Sequence, residues 1–438
     1  MSKLKIMGGK PLHGELKLHG AKNASLPIMA SALLTEGPTQ LSRVPRLTDV
    51  RTLRIILERL GMRVHRTDHH SLNLEVMEEE NCTCPHEPAI AMRASICVLG
   101  PLVAKRGFAE VPLPGGCVIG ERPVDLHLRG LRALGADIEQ KNGYIRASAS
   151  GLEGNRIYMG GPHGSTVLGT ANVMMAATLA EGRTVIEHAA SEPEVQDLAH
   201  YLNSCGANIE GAGTNTVTIE GVNRLEGTPH KVIPDRIEAG TFACAVAITG
   251  GDVLLEGARS DHLSALLNVM RKMGVEFEQS EAGIRVRRTG ELQGTDFTAL
   301  PYPGIPTDMQ PQLMAVLVTA NGTSVVTDSV HPERFTHVGE LHRLGADIVR
   351  QGPQAVVRGP VELSGAPVTA RDLRGGASLI VAGLAAGGTT TVDGMSHVDR
   401  GYERIEGLLR RVDARVKRQG APPFEVGQLH LPFHKTAS

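Results

Sequence analysis

Residues 112–125 read Pro-Leu-Pro-Gly-Gly-Cys-Val-Ile-Gly-Glu-Arg-Pro-Val-Asp and hold Cys117 close to Arg122. Three glycines and three prolines in fourteen residues exclude a helix or a central strand, so this stretch is a loop that bends sharply. A thiol beside a guanidinium is the setting in which a cysteine pKa falls and the sulfur becomes a nucleophile or acid. The plain alternative is a surface turn carrying a small apolar cysteine. A second set of charged residues opens apolar helical patterns: Lys22-Asn23, Arg93, Asp235-Arg236, Asp308 and Arg371-Asp372-Leu-Arg374, with Arg334 and Arg400 in loops that follow strands. Asp235, Asp308 and Asp372 are good helix caps in their own right, and any one of these residues alone reads as a solvated cap. Cations are different, because a positive charge at a helix start opposes the dipole there. Lys22, Arg93 and Arg374 together therefore predict an anion carrying several charges, of the phosphate and carboxylate kind. Cys82-Thr-Cys84-Pro-His86 tempts a metal reading, but no second ligand pair stands at finger spacing, and an exposed loop is expected there.

The elements that position these residues come from a repeat. A helix-ending phrase closes at Gly61, Gly135, Gly206, Gly274 and Gly345, with a worn copy at Asp413, at intervals of 74, 71, 68, 71 and 68 residues. A period near seventy predicts six structural units. In each, an apolar helix ends at a glycine (Gly37, Gly107, Gly182, Gly250, Gly322, Gly388), and a short β-rich run follows. A second helix then ends at the phrase above, where glycine suits the left-handed position, and a hairpin leads onward. The first helix is marked by Leu26, Met29, Ala30 and Leu33 at i, i+3, i+4 and i+7. Between the two glycines four units measure 24, 24, 24 and 23 residues, whereas the second measures 28, and the excess falls at Pro-Gly-Gly-Cys117. An insertion in one copy, carrying the only odd chemistry, tips the loop toward function. Six units sort into two pseudo-threefold groups with a seam at 230–235. Helix starts would then face a common cleft suited to an anion.

Bulk properties narrow the classes. At 438 residues two or three domains are expected, with 41% hydrophobic and 21% charged residues typical of a globular protein. A net charge of −2, no tryptophan, and only five tyrosines and seven phenylalanines leave no basic stripe or stacking platform for nucleic acid. The amino-terminal residues lack a secretory apolar core, and no apolar run reaches the ~18 residues that cross a bilayer, so no membrane partner is expected and the cytoplasm is the expected compartment. The six cysteines (82, 84, 97, 117, 205, 244) show no disulfide-like spacing.

Five phrases now carry a resemblance: Gly20-Ala-Lys22-Asn23-Ala, Met92-Arg93-Ala-Ser, Pro-Gly-Gly-Cys117-x-Ile-Gly-x-Arg122-Pro-Val-Asp-Leu-His, Pro-Thr-Asp308-Met-Gln and His-Val-Asp-Arg400-Gly-Tyr-Glu-Arg. Across essentially the whole chain the sequence resembles the UDP-N-acetylglucosamine enolpyruvyl transferases. The resemblance implies an α/β fold of two inside-out α/β barrel domains, each of three βαβαββ-like units with pseudo-threefold symmetry. It implies residues 1–21 with 235–438 as one domain and 22–234 as the other, with the active site between them. The implied reaction moves the enolpyruvyl group of phosphoenolpyruvate (PEP) onto the sugar 3-hydroxyl of UDP-N-acetylglucosamine and releases phosphate, the first committed step of peptidoglycan synthesis. No metal or organic cofactor is implied, and the resemblance leaves the oligomeric state open. By resemblance, Lys22, Arg122 and Arg400 hold PEP with help from Arg93, Arg374 and Asn23. Cys117 is the proton donor and the thiol that fosfomycin would alkylate, and Asp308 is the candidate base. Asn23 orients the sugar or the tetrahedral intermediate. Arg93, Arg122, Pro123, Val124, Asp125, Leu126, Asp308, Val330 and Arg334 would line the nucleotide-sugar site. One phrase departs from the family: the turn at 161–172 runs about three residues long, so the diphosphate contacts are left unassigned. Two rivals remain: the sister transferase acting on shikimate 3-phosphate, and a paralogue that binds a UDP-sugar without catalysis.

Overall fold

A computed structural model describes residues 2–115 and 124–420. Cys117, Arg122 and Pro123 therefore lie outside the described residues. Among the described residues the strands form six main sheets, five of four strands and one of three, besides two short ribbons. Every four-stranded sheet repeats one pattern: three antiparallel strands and an outer strand pairing in parallel with the one that follows the apolar helix. In the third unit, for example, Arg183–Glu187 pairs in parallel with Arg156–Tyr158 and antiparallel with Thr216–Glu220. The fourth unit borrows Leu12–Lys17 as its parallel strand, and the sixth borrows Lys3–Met7 as the last strand of its hairpin.

The three-stranded sheet of the second unit corrects one expectation. Residues 82–84 are not an exposed loop: Cys84 N–H donates to the Glu110 carbonyl at 2.8 Å, Glu110 N–H donates to the Cys82 carbonyl at 2.9 Å, and Cys84 is buried. The segment occupies the place of the missing parallel strand through a single bridge, Thr83 to Glu110. A buried thiol here has its pKa pushed up to about 12 by desolvation, which makes Cys84 a packing residue.

No described sheet closes into a barrel; the sheets face outward and the apolar helices fill the centre. Arg236–Thr249, Gln310–Leu317 and Leu373–Ala385 are buried along almost their whole length and pack on one another. In the other core Lys22–Ser31 and Val167–Ala177 are likewise almost wholly buried, and Leu99–Arg106 buries its first five residues against Val167–Ala177. A helix that is apolar all round has no face to offer water, so it must be enclosed. Two apolar cores result: one from Leu4–Leu18 with Ile237–Val416, the other from Ala21 to Val232. The repeat shows in the backbone as well. All six helix-ending glycines have φ between 71 and 103°, all five turn glycines between 87 and 104°, and Asp413, in the worn copy, sits at φ 69°.

The chain crosses between the cores twice, and the crossings run side by side. Gly20 bridges Pro234, Ala21 N–H donates to the Ile233 carbonyl at 2.8 Å, and Asp235 N–H donates to the His19 carbonyl at 2.9 Å. A Cβ on Gly20 would run into the Arg43 carbonyl, which is why the crossing needs glycine.

Candidate active site between the two cores

Lys22 is the first residue of helix Lys22–Ser31, whose N-cap, Ala21, offers no capping side chain. Asp235 supplies the acceptor instead. Its Oδ2 takes the Lys22 N–H at 3.2 Å while its Oδ1 takes those of Ile237 and Glu238 at 2.8 and 3.0 Å. One carboxylate thus caps two helices, one from each core, and fixes where Lys22 begins. Asp372 caps helix Leu373–Ala385 through the N–H groups of Arg374 and Gly375. Asp308 behaves otherwise. It lies in the short 3-10 turn Thr307–Met309, and its carboxylate is engaged by arginine side chains.

The charged side chains form two triplets, each a carboxylate straddled by two cations. Asp49 holds Lys22 Nζ at 3.3 Å and Arg400 Nε at 2.9 Å. Asp308 holds Arg334 Nη1 at 2.8 Å and Arg374 Nη2 at 2.9 Å. The triplets feel one another: Lys22 is attracted by Asp308 and repelled by Arg374 and Arg400. Lys22 and Asp49 belong to one core and the other four to the second, so the cluster lies across the seam. Burial lowers the Lys22 ammonium below its ordinary range, with Arg374 and Arg400 pushing the same way and Asp49 pulling it back up. Burial works to raise Asp308, but Arg374, Arg334 and Lys22 overwhelm it and hold the carboxyl well below the usual carboxylate range. Asp49 shows the same contest, with Lys22 and Arg400 outweighing burial and lowering it. Arg374 is 2% exposed, stands 5.3 Å over the Tyr402 ring, and is held firmly cationic against burial, chiefly by Asp308. A carboxylate shared by two cations leaves each cation able to attract a further anion.

Asn23, the second residue of its helix, is half-buried beside Lys22. Arg93 opens the 3-10 turn Arg93–Val98 ahead of helix Leu99–Arg106, half-buried and within electrostatic reach of Cys97. Of the other expected nucleotide-sugar residues, Val124, Asp125, Leu126 and Val330 are described. Val124 is buried, and Asp125 and Leu126 open helix Asp125–Ala133. The long turn at 161–172 is a tight ribbon, Gly160–Gly161 against Gly164–Ser165, that leads into helix Val167–Ala177 with Thr166 as its cap. A Cβ on Gly161 would lie 3.1 Å from Leu126 Cδ1, and one on Gly164 would lie 2.6 Å from Pro301 of the other core. His163 Nδ1 reaches the Ser329 carbonyl at 3.2 Å, so the ribbon joins Leu126 on one side to the Ser329-Val330 turn on the other. Asp328 Oδ1 accepts the Val330 N–H at 3.0 Å, and its Oδ2 accepts from Thr307, which also receives Arg334 Nη1 at 3.1 Å. That chain of bonds connects the Val330 turn to Asp308.

The sequence reading missed Asp49. Its only local signal is an acid in the first turn of an amphipathic helix, Thr48–Arg59, the commonest place for an acid that does nothing but cap. The structure buries it to 5% exposure against Arg400, 351 residues away.

A family model described as EPSP synthase (3-phosphoshikimate 1-carboxyvinyltransferase) matches residues 6–409. The UDP-N-acetylglucosamine 1-carboxyvinyltransferase of Myxococcus xanthus (strain DK1622) is 49% identical over 96% of this chain and 100% of its own length. That of Thermodesulfovibrio yellowstonii is also 49% identical, over 95% of this chain and 100% of its own. Among solved structures, the enolpyruvyl transferase NikO from Streptomyces tendae superposes with a TM-score of 0.85, at 23% identity, covering 96% of this chain and 99% of that one. An EPSP synthase from Acinetobacter baumannii gives 0.76 at 17% identity, covering 96% of this chain and 100% of that one. These two likenesses speak to fold.

Proposed function

The chain belongs to the UDP-N-acetylglucosamine 1-carboxyvinyltransferase family within the wider EPSP synthase group, and from that premise we propose that it transfers the enolpyruvyl group of PEP to the 3-hydroxyl of UDP-N-acetylglucosamine. Phosphate is the second product. The observation that carries this reading is the pair of straddled carboxylates, which gathers Lys22, Arg400, Arg374 and Arg334 across one seam. PEP bears its carboxylate on C2 and its phosphate on the C2 oxygen, and a cluster of cations with shared partners suits such a compact polyanion.

In this reading Lys22, Arg400 and Arg122 take the PEP anion, with Arg93 and Arg374 behind them. The sugar oxygen bonds to C2 of PEP as its proton leaves, and C3 receives a proton, giving a tetrahedral ketal. Loss of a proton from that methyl group and cleavage of the C–O bond to phosphate then restore the enol ether. Asp308 is ionised and faces the seam, so it can orient the sugar hydroxyl and accept its proton through geometric reach, against the pull of its two arginines. Cys117, outside the described residues, supplies the proton to C3 in this reading, and Asn23 orients the sugar or the ketal. The same cations steady charge on the departing phosphate. Val124, Asp125 and Leu126, with Arg122 and Pro123, line the uridine side, and Val330 closes it from the opposite core.

We further read residues 1–21 with 235–438 and 22–234 as two pseudo-threefold domains, supported by the two separate apolar cores and the paired crossings. The chemistry uses cytoplasmic metabolites, and no described helix is long and apolar enough to cross a membrane. The test is phosphate release from PEP with two acceptors side by side. Release with UDP-N-acetylglucosamine, abolished by Lys22→Ala, is expected. Release with shikimate 3-phosphate alone would assign the chain to the sister reaction, and release with neither would overturn the reading.

A further inference from the structure

Beside the crossings, three side chains that the charged triplets do not use point metal-ligating atoms at one another. His19 precedes the crossing at Gly20, His70 sits in the turn between strands Met62–Asp68 and Ser71–Val76, and Glu403 lies just ahead of helix Ile405–Arg411. His70 Nε2 lies 3.1 Å from Glu403 Oε2, His19 Nε2 lies 3.9 Å from the same oxygen, and all three ligand atoms fall within 4.8 Å of one another. Nitrogen and oxygen ligands about 2.0–2.2 Å from a tetrahedral ion stand roughly 3.4 Å apart. The His70–Glu403 edge already has that spacing. A turn of the His70 ring, whose side chain is 40% exposed, brings its nitrogen toward His19, and a shift of about 0.5 Å in the Glu403 carboxylate brings the 3.9 Å edge to the same spacing.

The surroundings match what metal sites use to aim their ligands. His19 Nδ1 stands 3.0 Å from Glu238 Oε1, and the backbone N–H of His19 donates to Glu238 Oε2 at 2.8 Å. A carboxylate that accepts a hydrogen bond from Nδ1–H fixes the tautomer that leaves Nε2 as a lone-pair donor, the carboxylate–histidine arrangement found behind metal ligands. Glu403 is anchored in turn, since its Oε2 accepts the Arg46 N–H at 2.7 Å. Two imidazoles turned toward one anchored carboxylate form a two-histidine, one-carboxylate donor set.

We propose that His19, His70 and Glu403 bind a divalent first-row transition ion, zinc foremost, as a brace across the crossing. His70 belongs to one core, and His19 and Glu403 to the other, so the ion would pin the two cores together within a few residues of Lys22. The rival is a metal-free latch in which a proton on His19 bridges Glu238 and Glu403.

The test uses the untagged, chelator-treated full chain. Calorimetric titration with zinc chloride should saturate at one equivalent, and the thermal midpoint should rise. Cobalt(II) should give a visible spectrum of nitrogen and oxygen ligation without a thiolate charge-transfer band. His70→Ala and Glu403→Gln should each weaken zinc at least tenfold, while His69→Ala, at the neighbouring surface position, should not. No saturable binding, a thiolate band, or affinity unchanged in both His70→Ala and Glu403→Gln would overturn the site and leave the proton latch.

Discussion

Asp49→Asn separates positioning from packing, because it removes one charge, keeps the shape, and strips the shared partner from Lys22 and Arg400. Hydrogen bonds to charged groups are worth roughly 1.5–3 kcal/mol each, and three to this carboxylate, at 2.9, 3.3 and 3.5 Å, are weakened or lost. Bound substrate anion replaces part of that attraction, and the amide oxygen keeps one weak acceptor. The net loss of transition-state stabilisation is then about 3–4 kcal/mol, a fall in kcat/KM of ~100- to 1,000-fold. Much of it should appear in the KM for PEP, since both cations are assigned to its anion. The pH profile gives the sharper readout. Lys22 is held below its ordinary pKa by burial, and Asp49 is the leading influence that raises it. Without that carboxylate the ammonium loses its proton at lower pH, so the alkaline limb of kcat/KM should move toward neutrality. Inorganic phosphate should also raise the melting temperature of the variant more than that of the parent, by filling the emptied charge. A variant with kcat/KM within twofold of the parent and an unmoved alkaline limb would refute the assignment of Asp49.

Two further predictions concern the frame. Arg236 at the start of one core's helix makes two bonds to Glu194 of the other core, at 2.9 and 3.1 Å, with both residues buried; Glu194→Gln leaves the guanidinium unmatched and should cost about 3 kcal/mol, read as an earlier and biphasic urea transition as the cores uncouple. A single transition at the parent midpoint would contradict this. Asp413, at φ 69°, occupies the position that glycine fills in five sister units, so Asp413→Gly should relieve strain and stabilise by roughly 0.5 kcal/mol, its exposed contact with Lys10 contributing little; a lower melting temperature would show that the worn copy is not strained.

The repeat was legible because its markers are backbone requirements. A left-handed turn needs glycine or a tolerant aspartate, and twelve such positions spaced near seventy residues announce six sheets whatever lies between. The cations at helix starts were legible for a similar reason, since Lys22 and Arg374 sit where the dipole disfavours them. Their partners were not. Asp49 and Arg400 meet only when elements 351 residues apart pack together, and no local pattern encodes that distance. The same gap explains Asp308, which reads as a helix cap but turns its carboxylate to Arg334 and Arg374. It also explains residues 82–84, too short and polar to read as a strand until the second sheet is seen to lack one. Among the described residues no closed barrel forms because each main sheet ends after three or four strands, with helices between them.

The borrowed strands bear on how the chain is made. Every described strand of residues 22–234 pairs within that portion, so its sheets can form while the ribosome is still working. Lys3–Met7 and Leu12–Lys17 emerge first yet find their sheet neighbours only at Gly251–Glu256, Thr389–Asp393 and Arg415–Gln419. Leu12–Lys17 thus waits until residues 251–256 are made and Lys3–Met7 until residues 389–419 are, their leucines and isoleucine unhoused in the meantime, a natural foothold for a chaperone.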